Sequence, residues 1–231
     1  MSEPRVDLYL GGDLAPWVLQ RVHPEQIATV ITPDPAVHEQ AKARGFTARH
    51  DSPQHTGIIA LSVHFPKILP ASVLKQYRAA YNLHPGFLPW GRGYYPAFWA
   101  LLDGTPAGAT LHLMTERLDA GPIVEQIRVH YTDADTGGSL HRRIREAEMQ
   151  LFDQYWPKIA AGDVLPARPQ QGAGSYHARA EFFAMKRPEN WQKLEAEQLV
   201  RRIRCLTFPG YTGLELPLGE RVMQVSMQEV N

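Results

Sequence analysis

A single cysteine in 231 residues leaves no internal disulfide and no cysteine-based zinc site, so Cys205 sets no demand for an oxidising compartment. An excess of charge of one sign is also missing. With 24 Lys plus Arg against 24 Asp plus Glu, no global field draws in nucleic acid, whose binding rests largely on neutralising phosphates. No apolar run approaches the roughly 20 residues of a membrane span, and Glu3 and Pro4 stand where an export signal carries a basic start and an apolar stretch. The expectation is a cytoplasmic protein with neither nucleic acid nor membrane as partner. Internal repeats and low-complexity tracts are absent, and the 19 prolines and 18 glycines are scattered among apolar segments as turn punctuation.

Instead, the first half alternates short apolar runs with longer mixed stretches, the pattern of βαβ units. Strands are expected at Val6–Leu10, Ile27–Thr32, Gly57–Ser62, Ala79–His84, Ala109–Met114 and Ile123–Val129. Helices are expected near Ala15–Val22, Val37–Gly45, Pro70–Tyr77 and Pro96–Gly104. Ser139 is expected to cap a longer helix whose Leu140, Ile144, Ala147, Leu151 and Tyr155 share one face, with Pro157 ending or kinking it. Gly162 to Gly174 reads as a linker, and Asn190–Leu206 as a helix before two short strands near Leu214–Leu216 and Val222–Met227. The fold class is α/β, a doubly wound Rossmann-like and mainly parallel sheet with a small C-terminal α+β subdomain. Residues 1–165 form the first domain and 166–231 the second.

The densest run of special residues is Asn82-Leu83-His84-Pro85-Gly86-Phe87-Leu88-Pro89-Trp90-Gly91-Arg92-Gly93. The strand period of two puts Asn82 and His84 on one face at the carboxyl end of an expected strand, where open α/β sheets bind ligands. An amide donor beside an imidazole suits a developing oxyanion and a proton in transit. Such a pair also serves to cap neighbouring backbone. The turn Leu118-Asp119-Ala120-Gly121-Pro122 adds a carboxylate, which on its own is equally a turn former.

Taken together, the Asn-x-His strand, the Leu-Pro-x-x-Arg-Gly loop and the Leu-Asp-x-Gly-Pro-Ile turn resemble the folate-dependent formyltransferase family. The resemblance is strong from Ile58 to Val129 and weaker in the tail. It implies Asn82, His84 and Asp119 as catalytic residues and N10-formyltetrahydrofolate as co-substrate, with no metal. It also implies a folate site lined by Phe65, Lys67, Ile68 and Leu69 on one side and by Thr115, Glu116 and Leu118 on the other. In that reaction an uncharged amine attacks the formyl carbon, Asn82 and His84 hold the oxyanion, and Asp119 orients His84 and helps remove the amine proton.

Three kinds of amine compete within that family. Glycinamide ribonucleotide enzymes grip a phosphate with a Gly-Ser-Asn type loop, whereas this chain has Gly11-Gly12-Asp13, an acid where an anion would sit. Methionyl-tRNA formyltransferases carry a larger C-terminal domain. Here the tail from Ala167 to Asn231 holds nine Lys plus Arg against seven Asp plus Glu, a weak surface for tRNA. Arg201, Arg202 and Arg204 read as a solvated helix face.

The tail segments at Ser175–Arg179 and Arg204–Tyr211 are similar to those of nucleotide-sugar N-formyltransferases, so a nucleotide-linked amino sugar of surface-polysaccharide (lipopolysaccharide O-antigen) synthesis is the expected acceptor. Arg92, Tyr94, Tyr95, Arg179, Phe208 and Tyr211 are its expected contacts, and a homodimer is expected. Other acceptors are a hydroxylated amino acid, glycinamide ribonucleotide or methionyl-tRNA, and a non-catalytic folate or nucleotide binder is the reading from another class. His112 reads equally as a site-lining or a structural histidine, and Phe98 and Trp99 as core.

Overall fold

The computed structural model describes residues 5–50 and 56–228. In chain order the elements are β1 (Val6–Leu10), α1 (Ala15–Arg21), β2 (Ile27–Ile31), α2 (Pro35–Ala43), β3 (Ala48–Arg49), β4 (Ile59–Val63), α3 (Ala71–Leu74), β5 (Ala79–His84) and β6 (Arg92–Gly93). Then follow α4 (Pro96–Asp103), β7 (Ala107–Leu113), β8 (Ile123–Val129), α5 (Gly137–Ala161), β9 (Tyr176–His177), α6 (Arg179–Lys186), α7 (Ala196–Leu206), β10 (Leu214–Leu218) and β11 (Arg221–Val225). Seven strands form one sheet in the order β3-β2-β1-β4-β5-β7-β8. Pairing is parallel from β3 through β5 and antiparallel between β5 and β7. The expected α/β class is therefore what the chain adopts, with a mixed edge to the sheet.

The chain divides into two compact units, each assembled from three stretches. The first comprises residues 1–84, 110–126 and 148–171. Strands β1 and β4 are buried throughout, as expected of strands covered on both faces. Inside β1 lies a carboxylate with no exposed surface, Asp7, which accepts hydrogen bonds from the Thr56 and Gly57 amides and the Thr56 and Tyr77 hydroxyls. Four donors satisfy a charge whose burial would otherwise be costly. Burial first, then the Tyr9 hydroxyl and the Asp7 charge, push the Tyr77 phenol far above its ordinary pKa.

Helix α5 runs through Pro157. The ring removes one backbone donor, yet Leu151, Phe152, Trp156 and Ile159 are all buried, and Phe152 stacks on Trp156. Tertiary burial overrides the local break. The linker-like stretch also proves anchored. Arg168 and Ile123 exchange both backbone hydrogen bonds at 2.8 Å, and the Leu165 amide donates to Tyr81 Oη at 2.8 Å.

The second unit comprises residues 85–109, 127–147 and 172–231. Its core gathers Phe98, Trp99 and Leu101 of α4, Leu140 and Ile144 of α5, Cys205 and Leu206 of α7, and Leu214 and Leu216 of β10. Phe98 and Trp99 are core residues, as their helical spacing indicates, and burial pushes the Cys205 thiol up to about 11. Helix α5 starts at Gly137, two residues before Ser139, because the Thr136 hydroxyl rather than Ser139 caps it, accepting from Ser139 N–H at 3.2 Å, and the Cys205 carbonyl and the Phe208 ring leave no room for a β-carbon at position 137. Arg204 is not part of a solvated face. Its guanidinium donates to the carbonyls of Thr132, Asp133 and Asp135, fastening α7 to the start of α5. The segment Asn190–Leu206 is a short 3₁₀ turn at Trp191–Lys193 followed by α7, and α6 and the two-residue pair β6–β9 join elements the periodicity does not show.

Candidate active site

Strand β5 carries Asn82 and His84, and the register fixes what faces them. Asn82 lies across from Ser62 of β4 on one side and from His112 of β7 on the other, while His84 lies across from Thr110. The turn after β7 then brings Asp119 back to this end of the strands. The Asp119 carboxylate stands 3.5 Å from Asn82 Nδ2, 3.7 Å from His84 Nδ1 and 3.7 Å from His112 Nε2. His84, His112 and Asp119 are each buried. The three residues singled out in the sequence thus converge, with a fourth, His112, among them.

His112 has a defined tautomer. Its Nδ1 lies 2.8 Å from the Leu113 carbonyl, which can only accept, so Nδ1 carries the hydrogen and Nε2 is left with a lone pair. That lone pair accepts from Asn82 Nδ2 at 3.2 Å. One amide hydrogen of Asn82 is thereby held, and the carboxamide plane is set. The His84–Asp119 separation is wider than a hydrogen bond, a common state of catalytic pairs before substrate binds.

Asp119 adopts a left-handed conformation, φ +50°, in a tightly packed turn. A β-carbon on Gly121 would stand 1.8 Å from the Leu113 carbonyl oxygen. Gln170, inside the stretch that reads as a linker, donates from Nε2 to the carbonyls of both Asp119 and Gly121 at 2.8 Å. Sequence reasoning misses Gln170, because a glutamine among prolines and glycines carries no local signal.

The loop after β4 carries the expected folate residues. Phe65 packs edge-on against Tyr9, Leu69 is buried in the core, and Lys67 and Ile68 are exposed. Ile68 is 62% exposed, an apolar side chain turned to solvent beside the carboxyl end of the sheet. Beyond β7, Thr115 donates to the Arg117 carbonyl, Glu116 is an exposed partner of Lys75, and Leu118 is half-buried. Since β4 pairs in parallel with β5, the loop after β4 leaves the sheet at the His84 end, whereas β7 runs antiparallel and its loop starts beside Ala80 and Tyr81 before the turn returns Asp119 to Asn82 and His84.

The expected acceptor residues all belong to the second unit. Arg92 and Gly93 pair with Tyr176 and His177, and Tyr94 N–H donates to the His177 carbonyl. Tyr95, at φ +59°, stacks on Phe182 at 3.7 Å between centroids. The Arg179 guanidinium lies 5.6 Å from the centre of the Phe183 ring, and Phe208 packs against His141 and Tyr211, the latter 75% exposed. His177 lies flat on Trp99 with Asp103 and Glu181 beside its two nitrogens.

A family model described as formyl transferase matches residues 17–155, which is more than half of the chain and includes the whole Asn82, His84 and Asp119 constellation. The chain belongs to the formyl transferase family. Membership bears out the expected enzyme, a folate-dependent formyltransferase. Among solved structures, this formyltransferase is similar to a 4-N formyltransferase from Francisella tularensis, with a TM-score of 0.81 at 16% identity over 98% of this chain and 99% of that one. It is similar to a sugar N-formyltransferase from a Shewanella species, with a TM-score of 0.81 at 18% identity over 99% of each chain. A third is an N-formyltransferase from Helicobacter canadensis in complex with folinic acid and dTDP-3-aminofucose, with a TM-score of 0.73 at 17% identity over 95% of this chain and 85% of that one. At such identities the likeness is one of fold.

Proposed function

We propose that this formyltransferase moves a formyl group from N10-formyltetrahydrofolate to the primary amine of a nucleotide-linked amino sugar. The observation that carries the reading is the convergence of Asn82, His84 and Asp119 at the carboxyl edge of the sheet in a member of the family. In the proposed reaction the uncharged amine attacks the formyl carbon and the carbonyl oxygen takes up negative charge. The Asn82 amide hydrogen that faces Asp119 at 3.5 Å turns to that oxyanion and, with the His84 ring, stabilises it, the kind of contact worth about 100-fold or more in rate. The Asp119 carboxylate orients His84 and receives the amine proton, directly or through water. Collapse breaks the bond from carbon to N10, which is protonated as tetrahydrofolate leaves.

Residues Phe65, Lys67, Ile68, Leu69, Thr115, Glu116 and Leu118 hold the folate in this reading. The exposed Ile68 fits a pterin wall, since an apolar side chain in water gains from being covered. Arg92 and Arg179 meet the pyrophosphate of the acceptor, with Tyr94, Tyr95, Phe208 and Tyr211 as aromatic neighbours and residues 166–231 as the acceptor-positioning part. The choice of a sugar acceptor is supported by the likeness in fold to a sugar N-formyltransferase, at a TM-score of 0.81 against 0.66 for a methionyl-tRNA formyltransferase from Clostridium thermocellum. The reading keeps a homodimer in the cytoplasm, serving surface-polysaccharide synthesis.

The test is an assay of purified protein with N10-formyltetrahydrofolate and a panel of dTDP-, UDP- and GDP-linked amino sugars, alongside glycinamide ribonucleotide and methionyl-tRNA. An amide product from at least one nucleotide sugar is expected. Product only from the last two, or from none, overturns the acceptor. Asn82→Ala and His84→Ala should each lower kcat by about 100-fold. An unchanged rate in either removes that residue from the reaction.

A further inference from the structure

We propose that Gln170 is a positioning residue, fixing the direction of the Asp119 carboxylate; the inference rests on the reading of Asp119 as catalytic. Asp119 holds a left-handed backbone that a residue with a β-carbon rarely adopts, so the surrounding turn must over-determine it. Two backbone contacts close the ends of the turn: Leu113 N–H donates to the Pro122 carbonyl at 2.9 Å, and Ala120 N–H to the Arg117 carbonyl at 3.3 Å. The second holds the N–H of the peptide that follows Asp119, but neither takes up that peptide's carbonyl.

Gln170 does. Both hydrogens of its Nε2 are taken up, one by the Asp119 carbonyl and one by the Gly121 carbonyl, each at 2.8 Å. The direction of the Asp119 carbonyl is the ψ angle of Asp119, and φ and ψ together aim its side chain. A donor fork that grips the carbonyls on both sides of Ala120 therefore aims the carboxylate at His84 and Asn82. The fork is itself anchored, because Arg168, two residues earlier, exchanges both backbone hydrogen bonds with Ile123. Gln170 is half-buried although residues 166–169 and 171–173 are exposed, so the segment turns this one side chain inward.

The test compares Gln170→Met, which keeps the length and loses the donor, with Gln170→Glu, which keeps the polarity and loses the donor. Each is made alone and with Asp119→Asn. Because Gln170 is only half-buried and lies outside the core, both variants should fold, with melting temperatures close to that of the wild type. The expected result is a fall in kcat of about 10- to 100-fold in both, with KM for N10-formyltetrahydrofolate and for the amino sugar within about twofold. In the Asp119→Asn background neither variant should lower kcat further, since there is no carboxylate left to aim.

A second readout needs no acceptor. In histidine-labelled protein the His84 ring nitrogen resonances of both Gln170 variants should move toward those of Asp119→Asn. A kcat within twofold of wild type, an equal loss in the Asp119→Asn background, or unmoved His84 resonances overturns the proposal. If Asp119→Asn itself keeps the wild-type rate, the catalytic reading of Asp119 falls, and the resonances alone decide whether Gln170 places the carboxylate.

Discussion

His64 Nε2 stands 2.8 Å from Oε1 of Glu148, a residue with no exposed surface. His64 follows β4 in a left-handed conformation, φ +52°, and its ring fills the space beside Gly12, so the pair ties α5 to the loops after β1 and β4. Removing one partner of such a buried pair leaves the other without compensation, at a cost of about 3 to 5 kcal/mol. His64→Ala should lose close to the lower figure, since one face of the site is near solvent. Glu148→Gln, which still meets the ring, should lose less than half as much. Urea unfolding midpoints measure both, and a fully stable His64→Ala would show that the pair contributes nothing.

The Asp119 turn makes a sharper demand at Gly121. With the Leu113 carbonyl oxygen 1.8 Å from any added β-carbon, and backbone rather than a flexible side chain as the obstacle, Gly121→Ala must move the turn. Displacement of the turn carries Asp119 with it. A loss of about 2 to 4 kcal/mol in stability and of at least about 100-fold in kcat is expected, the scale of a backbone clash and of a misplaced catalytic group. Chemical unfolding and steady-state rates on one preparation would check both, and an active, stable Gly121→Ala is the contrary result.

Much of this architecture was legible before any coordinates. Strands β1, β5 and β8 fall at their expected residues because each is a short apolar run with turn signals at its ends. The side-chain period of two placed Asn82 and His84 together, and the Asp119 turn announced itself through Gly121 and Pro122. Periodicity fails where tertiary burial decides, as at Pro157, where packing of Phe152 and Trp156 carries the helix through a local break. It fails again where a side chain's partners are distant in sequence. Gln170 reaches a turn about 50 residues earlier, and Arg204 reaches a loop about 70 residues earlier, from segments that read as linker and solvated face.

The start of α5 supplies a pH-dependent test. Burial alone would raise the Asp135 carboxyl, but the Thr132 amide, the Ser139 hydroxyl and the Arg143 guanidinium outweigh it and hold the group below its ordinary value. A carboxyl lowered on folding stabilises the protein above the unfolded value, near pH 3.9, and that contribution is lost as pH falls through the lower folded value. Asp135→Asn should therefore be less stable than wild type by about 1.5 kcal/mol at pH 7, and the difference should shrink below about pH 4. A gap that stays constant from pH 7 to pH 3 would show that the charge plays no part.

His112 offers a separate handle on Asn82. Its Nε2 lone pair holds one amide hydrogen of Asn82, and the Leu113 carbonyl holds its own tautomer, so the ring acts as a fixed acceptor behind the strand. His112→Phe keeps the ring and removes the acceptor, leaving the Asn82 carboxamide with only the longer 3.5 Å contact to Asp119 against a rotation that turns its oxygen toward the site. An oxygen there would repel a developing oxyanion, whereas substrate contacts made elsewhere would be unaffected. The expected outcome is a fall in kcat of about tenfold or more with KM nearly unchanged, equivalent to about 1.4 kcal/mol of transition-state stabilisation. Combined with Asn82→Ala, His112→Phe should add little, because the two residues act through one amide. Equal losses in the two backgrounds would mean that His112 contributes by a route that does not pass through Asn82.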